Sequence, residues 1–194
     1  MSFSEAPRVT LGDDEGRIAL LLDGVVQSVF VGADRLDSGY WPLMLPQTKP
    51  RAALLLGVGG GTVATLLTRR FGTVAMTGVE KNAAMIEMAH EFFGLPLDGM
   101  AIFHDDAFDF ILRAEGAYDY VAVDLFDAGA VPARVFSRPF LRAVKAKLEP
   151  GGLAAINFFK DRRLSERKHR LETVFPRVAL TVCEKNVVAH CRAR

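Results

Sequence analysis

The sequence predicts an α/β fold with a mostly parallel central sheet and helices on both faces. Three observations carry this reading. From Ala52 onward, short apolar runs of strand length alternate with segments of helical periodicity. Glycines at 57, 59, 60 and 61 directly follow the first apolar run, Ala52 to Leu56. Later runs end in carboxylates, at Glu80, at Asp105 or Asp106, and at Asp124.

Residues before that point read as a smaller unit. Arg8 to Leu11, Arg17 to Leu22 and Val25 to Val31 have strand character. Asp13, Asp14 and Gly16 supply one turn, and Asp23-Gly24 a two-residue hairpin turn. Residues 32–51, with Pro42, Pro46 and Pro50, read as a loop and a short helix in which Tyr40 and Trp41 form a cover. The expected division is therefore an N-terminal β hairpin unit with its connecting segment at 1–50, and a catalytic domain at 51–194.

Ala52 to Leu56 has no charge and reads as a strand buried on both faces. The glycines let the backbone turn tightly and approach a ligand without a Cβ in the way. Val63, Ala64, Leu66 and Leu67 then fall on one helical face, closed by Arg69 and Arg70. Strand, glycine turn, helix is the unit that binds nucleotides at the carboxyl edge of an open sheet. Thr62 stands where a dinucleotide fingerprint requires its last glycine, which leaves G-x-G-x-G at Gly57, Gly59 and Gly61.

Val74 to Val79 is the second strand of this series, followed by a helix over Ala83 to Phe93. Met100 to Phe103 is the third, and Phe108 to Arg113 opens the next helix. Tyr118 to Val123 is the fourth, ending at Asp124. A helix is expected from Pro132 to about Leu148, stopped by Pro150-Gly151-Gly152. Leu153 to Phe158 is the fifth strand. The basic stretch Lys160 to Arg170 reads as a solvated helix face, and Val178 to Cys183 with Val187 to Cys191 as a terminal hairpin.

The acids would lie side by side along the carboxyl edge. Glu80 has the offset at which a carboxylate accepts from ribose hydroxyls. Asp106 can accept from an adenine amine or cap the helix after it. Glu80 likewise can serve the helix that starts near Asn82. Asp124 ends a strand as apolar as Val121-Ala122-Val123, where an acid needs a partner or a task. Asp127 can join it or hold the loop 125–131.

Composition narrows the partners. The 194 residues suffice for one domain with a full core, and 50% hydrophobic against 24% charged residues excludes a disordered chain. A net charge of +1 offers no global field for nucleic acid or an anionic membrane. No apolar run has the length of a membrane span, and Met1 to Pro7 carries no signal pattern, so a cytoplasmic protein is expected. Cys183 and Cys191 are too few for a disulfide framework or a zinc site, and no metal is expected.

These residues resemble the spermidine synthase-like proteins, on the Rossmann-like class I methyltransferase fold. L-L-L-D-G-V-V-Q (20–27) is similar to the family's N-terminal hairpin, which implies Gln27 near the nucleoside. Tyr40 matches a substrate-pocket tyrosine. L-L-L-G-V-G-G-G-T resembles the glycine loop, V-E-K-N (79–82) the ribose acid, and H-D-D-A-F-D-F (104–110) the adenine-side segment with Asp106 and Ala107. Y-D-Y-V-A-V-D-L-F-D (118–127) resembles the segment with the catalytic aspartate, here Asp124, and a second acid, here Asp127. The implied ligand is S-adenosylmethionine or its decarboxylated form.

The chain departs from the pattern at several points. Gly60 stands where aminopropyltransferases carry an aspartate that holds the cationic end of the decarboxylated donor. Trp41 and Pro42 replace an acid after the pocket tyrosine. Gln47 and Thr48 stand near an expected histidine, and Leu125-Phe126 replaces a serine-rich core. The chain is also shorter than a full spermidine synthase. Gly60 would leave loop N–H groups free for a substrate carboxylate. The main expectation is therefore methyl transfer from S-adenosylmethionine to a small amine. Asp124 would act on the amine, Asp127 would support it, and Trp41 and Phe126 would form an apolar wall. The alternatives are a divergent aminopropyltransferase and a non-catalytic nucleoside-binding protein. The expected partner is a small-molecule acceptor, not nucleic acid or membrane, and a homodimer is the candidate assembly.

Overall fold

The computed structural model describes residues 8–14, 16–30, 39–127 and 129–194. Three strands, β1 (Val9–Asp14), β2 (Arg17–Leu22) and β3 (Val25–Val29), form an antiparallel sheet in that order. Asp13 and Asp14, expected in a turn, extend β1, where Asp14 pairs with Arg17 at 2.6 Å. Asp23 and Gly24 both take positive φ, at 50° and 77°, as a tight hairpin turn requires. Val31, expected to end the third strand, lies outside the described residues, as do residues 32–38 of the connecting segment. After them, α1 (Trp41–Met44) is a single turn with Pro42 in its first positions, where a missing N–H does no harm.

A seven-stranded sheet follows. Its strands are β4 (Ala52–Leu56), β5 (Ala75–Glu80), β6 (Met100–His104), β7 (Tyr118–Val123), β8 (Leu148–Phe159), β9 (Arg177–Cys183) and β10 (Asn186–Arg192), in the order β6-β5-β4-β7-β8-β10-β9. β4 to β8 are mutually parallel, and β10 runs antiparallel to both β8 and β9. The order reverses between β4 and β7, which opens a crevice above their carboxyl ends.

Helices α2 (Thr62–Phe71), α3 (Ala83–Phe93), α4 (Ala107–Arg113), α5 (Arg138–Ala146) and α6 (Leu164–Glu172) cover the sheet. The pleat sorts them. On β4, Leu54 and Leu56 pack with Phe110, Ile111 and Leu141 on one face, while Ala53 and Leu55 pack with Val63, Leu67 and Ala89 on the other. Ala19, Val29, Trp41 and Met44 join this second core. Leu20 meets Met85 and Phe93 of α3, so α3 lies between the two sheets.

The helix expected from Pro132 to Leu148 is interrupted. Ala133–Phe136 is a 3-10 turn, and α5 starts only after Ser137, whose hydroxyl accepts the Phe140 N–H. Pro139 explains the break, because proline fits the first turn of a helix and not its interior. Pro150, Gly151 and Gly152 do not stop a helix. They lie within β8, where the pairing register with β7 shifts and Gly151 takes φ 83°. The basic stretch lies mostly on α6 with several of its charges paired: Glu166 holds Arg163 and Arg170, Arg167 holds Asp161, and Lys168 holds Glu172. Among the described residues, no helix is long and apolar enough to cross a membrane.

Candidate active site

A cleft of about 1030 Å³ opens above the carboxyl ends of β4, β5 and β7, under the β2–β3 hairpin. Gln27, Tyr40, Trp41, Gly57, Gly59, Glu80, Asp106, Ala107, Asp124, Phe126 and Asp127 all line it. Gly61 does not. It takes φ 81° at the head of α2, with its missing side chain toward Leu95.

The glycine turn is tied down from every side. Gly57 N–H donates to the Val79 carbonyl at 2.9 Å, and Gly61 N–H to that of Val58 at 2.9 Å. Gly59 N–H donates to Glu80 Oε2 at 3.0 Å, and Gly60 N–H to the Ser28 hydroxyl at 2.7 Å. Thr62 completes this latch, donating to the Val29 carbonyl at 3.1 Å and accepting the Val29 N–H at 3.2 Å. The expectation that Gly60 frees loop N–H groups is thus corrected: the N–H groups at 57, 59, 60 and 61 all have acceptors within the chain. A side chain at 60 would also point away from the cleft, since its Cβ would lie 2.8 Å from Ser28 Cβ and 3.3 Å from Leu20 and Phe93. Gly57 is glycine for another reason. Its φ is 86°, and a Cβ there would overlap the Asp124 carbonyl, so the turn lies directly against the end of β7.

Glu80 is half-buried at the end of β5. Besides holding Gly59, it accepts the Asn82 N–H through Oε1 at 3.0 Å, while Asn82 caps α3. Each carboxylate oxygen keeps a second lone pair, and Glu80 lines the cleft. Asp106 caps α4, accepting the Phe108 N–H at 2.7 Å, and Asp105 pairs with Arg113. Gln27 donates to the Val25 carbonyl at 3.2 Å.

Asp124 has two neutral partners. Tyr40 donates to Oδ2 at 2.8 Å and Asn157 to Oδ1 at 2.8 Å. Asn157 is fully buried, and its own oxygen accepts from Asn186 at 3.0 Å. The surrounding protein pushes the Asp124 carboxyl up to about 6, and the hydrogen bonds from Asn157 and Tyr40 restrain the rise. Burial, followed by the Asp124 charge, holds the Tyr40 phenol well above its ordinary value. Asp127 is different. It is exposed, its backbone bridges to Ala130, and its carboxylate pairs with Lys81 at 3.0 Å.

Trp41 is buried with its ring 4.7 Å from that of Tyr40. The Phe126 ring meets that of Phe159 at a tilt of 55°, with centroids 5.0 Å apart. The sequence does not single out Asn157, Asn186 and Ser28 as site residues, and it marks Thr62 only as the residue that breaks the dinucleotide fingerprint. The readable signal was Asn157, a lone amide inside the apolar run Leu153 to Phe158. A half-buried carboxylate with neutral donors, beside the glycine turn and an aromatic wall, can attract an amine and accept its proton.

The Spermine/spermidine synthase domain model matches residues 41–183, well over half of the chain. A probable polyamine aminopropyl transferase of Bifidobacterium longum is 30% identical over 136 residues, covering 68% of this chain and 30% of its own length. The solved structure of a probable spermidine synthase from Corynebacterium glutamicum has a TM-score of 0.82 at 20% identity, over 98% of this chain and 78% of that one. Human methyltransferase-like protein 13, solved in complex with SAH, has a TM-score of 0.67 at 27% identity, over 73% of this chain and 71% of that one. The chain spans less than half the length of the curated aminopropyltransferase relative from Bifidobacterium. The architecture is therefore the class I methyltransferase-like fold shared with spermidine synthases. Because the family match runs from Trp41 to Cys183, through the glycine turn, the acid-bearing strand ends and Asn157, the chain belongs to the spermine/spermidine synthase family.

Proposed function

We propose that the protein transfers an aminopropyl group from decarboxylated S-adenosylmethionine to a primary amine. The observation that carries this reading is Asp124, a carboxylate against the glycine turn whose hydrogen-bond partners are both neutral. Its negative charge is left to meet a substrate cation. The occupied N–H groups at 57, 59, 60 and 61 support the decarboxylated donor, because these four are not available to the carboxylate of S-adenosylmethionine.

In this reading Glu80 accepts from the ribose hydroxyls and Asp106 with Ala107 borders the adenine. Gly57 and Gly59 let the nucleoside lie on the backbone, and Gln27 closes over it. Asp124 attracts the acceptor ammonium and takes a proton from it. Burial raises the Asp124 carboxyl and lowers an amine, so it narrows the gap between them. The free amine then attacks the carbon next to the sulfonium, the carbon–sulfur bond breaks, and its electron pair stays on sulfur. Tyr40 and Asn157 hold Asp124 in line, Trp41 and Phe126 exclude water, and Asp127 holds Lys81 and the loop at the rim.

Methyl transfer from S-adenosylmethionine is the second reading. It is favoured by the similarity to human methyltransferase-like protein 13, solved in complex with SAH. The test is a paired assay with both donors and a panel of amines, read by mass spectrometry. Methylthioadenosine formed from the decarboxylated donor supports the proposal. S-adenosylhomocysteine formed from S-adenosylmethionine, with no reaction of the other donor, replaces it by the second reading.

A further inference from the structure

The far end of the cleft already holds a cation of its own. Lys185 lies at the tip of the β9–β10 hairpin, with its Nζ 5.6 Å from the centroid of the Phe159 ring. Phe126 covers the same ring at 5.0 Å. The tip is fixed: the Lys185 carbonyl accepts the Lys160 N–H at 2.7 Å, and Glu184 before it takes φ 52°. An aromatic face attracts a cation, and here the chain's own ammonium occupies that position.

Three acids lie near this end, and they differ in what they offer a second ammonium. Asp127 is neutralised by Lys81 at 3.0 Å. Asp124 is held by neutral donors and can receive one ammonium. Glu184 also lines the cleft, but it is exposed at the turn, where solvent screens its charge. An acceptor with one amine at Asp124 and an apolar body against Phe126 and Phe159 therefore fits. A second ammonium further along would meet Lys185 over the Phe159 ring, and like charges repel.

We infer that the acceptor is a monoamine with an apolar body, and that Lys185 sets this preference by keeping a second ammonium out of the Phe126–Phe159 end. The inference rests on the transfer reading above. The carbon–nitrogen bond forms as the carbon–sulfur bond breaks, sulfur leaves as a neutral thioether, and the displaced amine proton passes through Asp124 to solvent.

The experiment compares butylamine with butane-1,4-diamine, which differ only in the second amine, in the parent, Lys185→Glu and Glu184→Gln. Both donors are used. Binding of each amine to the protein with methylthioadenosine is measured alongside turnover. The parent should favour butylamine by about tenfold or more, and Lys185→Glu should raise the diamine by a similar factor with butylamine little changed. Glu184→Gln should leave the preference in place. A parent that prefers the diamine, or a Lys185→Glu variant with the parent's preference, overturns the inference. Monoamine preference in binding without transfer from either donor sustains the inference and removes the transfer reading.

Discussion

Tyr40 and Asp124, 84 residues apart in the chain, share a hydrogen bond of 2.8 Å at the reactive end of the cleft. The phenol donates, so the bond favours the ionised carboxylate and works against the rise that burial imposes. Turnover should therefore fall as pH drops through about 6, where Asp124 takes up its proton. Tyr40→Phe removes one donor and should move this acid limb to higher pH. A pH–rate profile of both proteins checks the shift, and an unmoved limb would detach Tyr40 from the ionisation.

Asp124→Asn should reduce turnover by about a hundredfold or more while nucleoside affinity stays near that of the parent. The same change should stabilise the fold at pH 8. The folded carboxyl ionises near 6, above its unfolded value, so its contribution is fully favourable below about pH 4 and is lost as pH rises through 6. The asparagine avoids that loss, which amounts to about 1–3 kcal/mol at pH 8 and vanishes at pH 4. Urea unfolding at the two pH values measures it.

Glu80→Ala should weaken the nucleoside through two routes at once. The ribose loses a carboxylate, and the Gly59 and Asn82 N–H groups lose their acceptor. A loss of about 1–3 kcal/mol in binding is expected from charge-assisted hydrogen bonds of this kind. Calorimetry with methylthioadenosine checks it, and unchanged affinity would remove Glu80 from the nucleoside site.

Gly60→Asp should destabilise the protein without altering which donor it prefers. The new Cβ would enter the space of Ser28, Leu20 and Phe93, and the carboxylate would be driven toward buried apolar groups. Overpacking alone costs about 1–3 kcal/mol. Thermal unfolding and a paired donor titration test the two halves separately. A shift of preference toward the decarboxylated donor would show that position 60 faces the cleft after all.

Much of this site was legible because its signals are local. The Gly57-x-Gly59 spacing after an uncharged strand and the acids Glu80, Asp106 and Asp124 at strand ends follow from short patterns. What escaped depends on pairings that no short window contains. Asn157 becomes meaningful only once β8 lies beside β7, which places its amide on Asp124. Ser28 matters because the hairpin folds back over a loop 32 residues away. The methyl-transfer expectation rested on free N–H groups at the turn, and whether such a donor is free is decided by a distant acceptor. The unbroken helix from Pro132 to Leu148 was misread for a nearer reason, since Pro139 sits inside a stretch of otherwise good periodicity.

Ser28 and Gly60 occupy one shared volume, and this has a consequence for descent. A lineage that acquires a side chain at 60 must find room for it by changing 28 or by tilting the hairpin, and a lineage that loses the hydroxyl at 28 strands an amide in the turn. The two positions should therefore change together or not at all, so that the hairpin and the glycine loop are inherited as a matched pair. Across related sequences, joint substitution at 28 and 60 should be more frequent than the product of the separate frequencies, and a chimera that takes the hairpin from one relative and the loop from another should fold only when both residues come from the same parent.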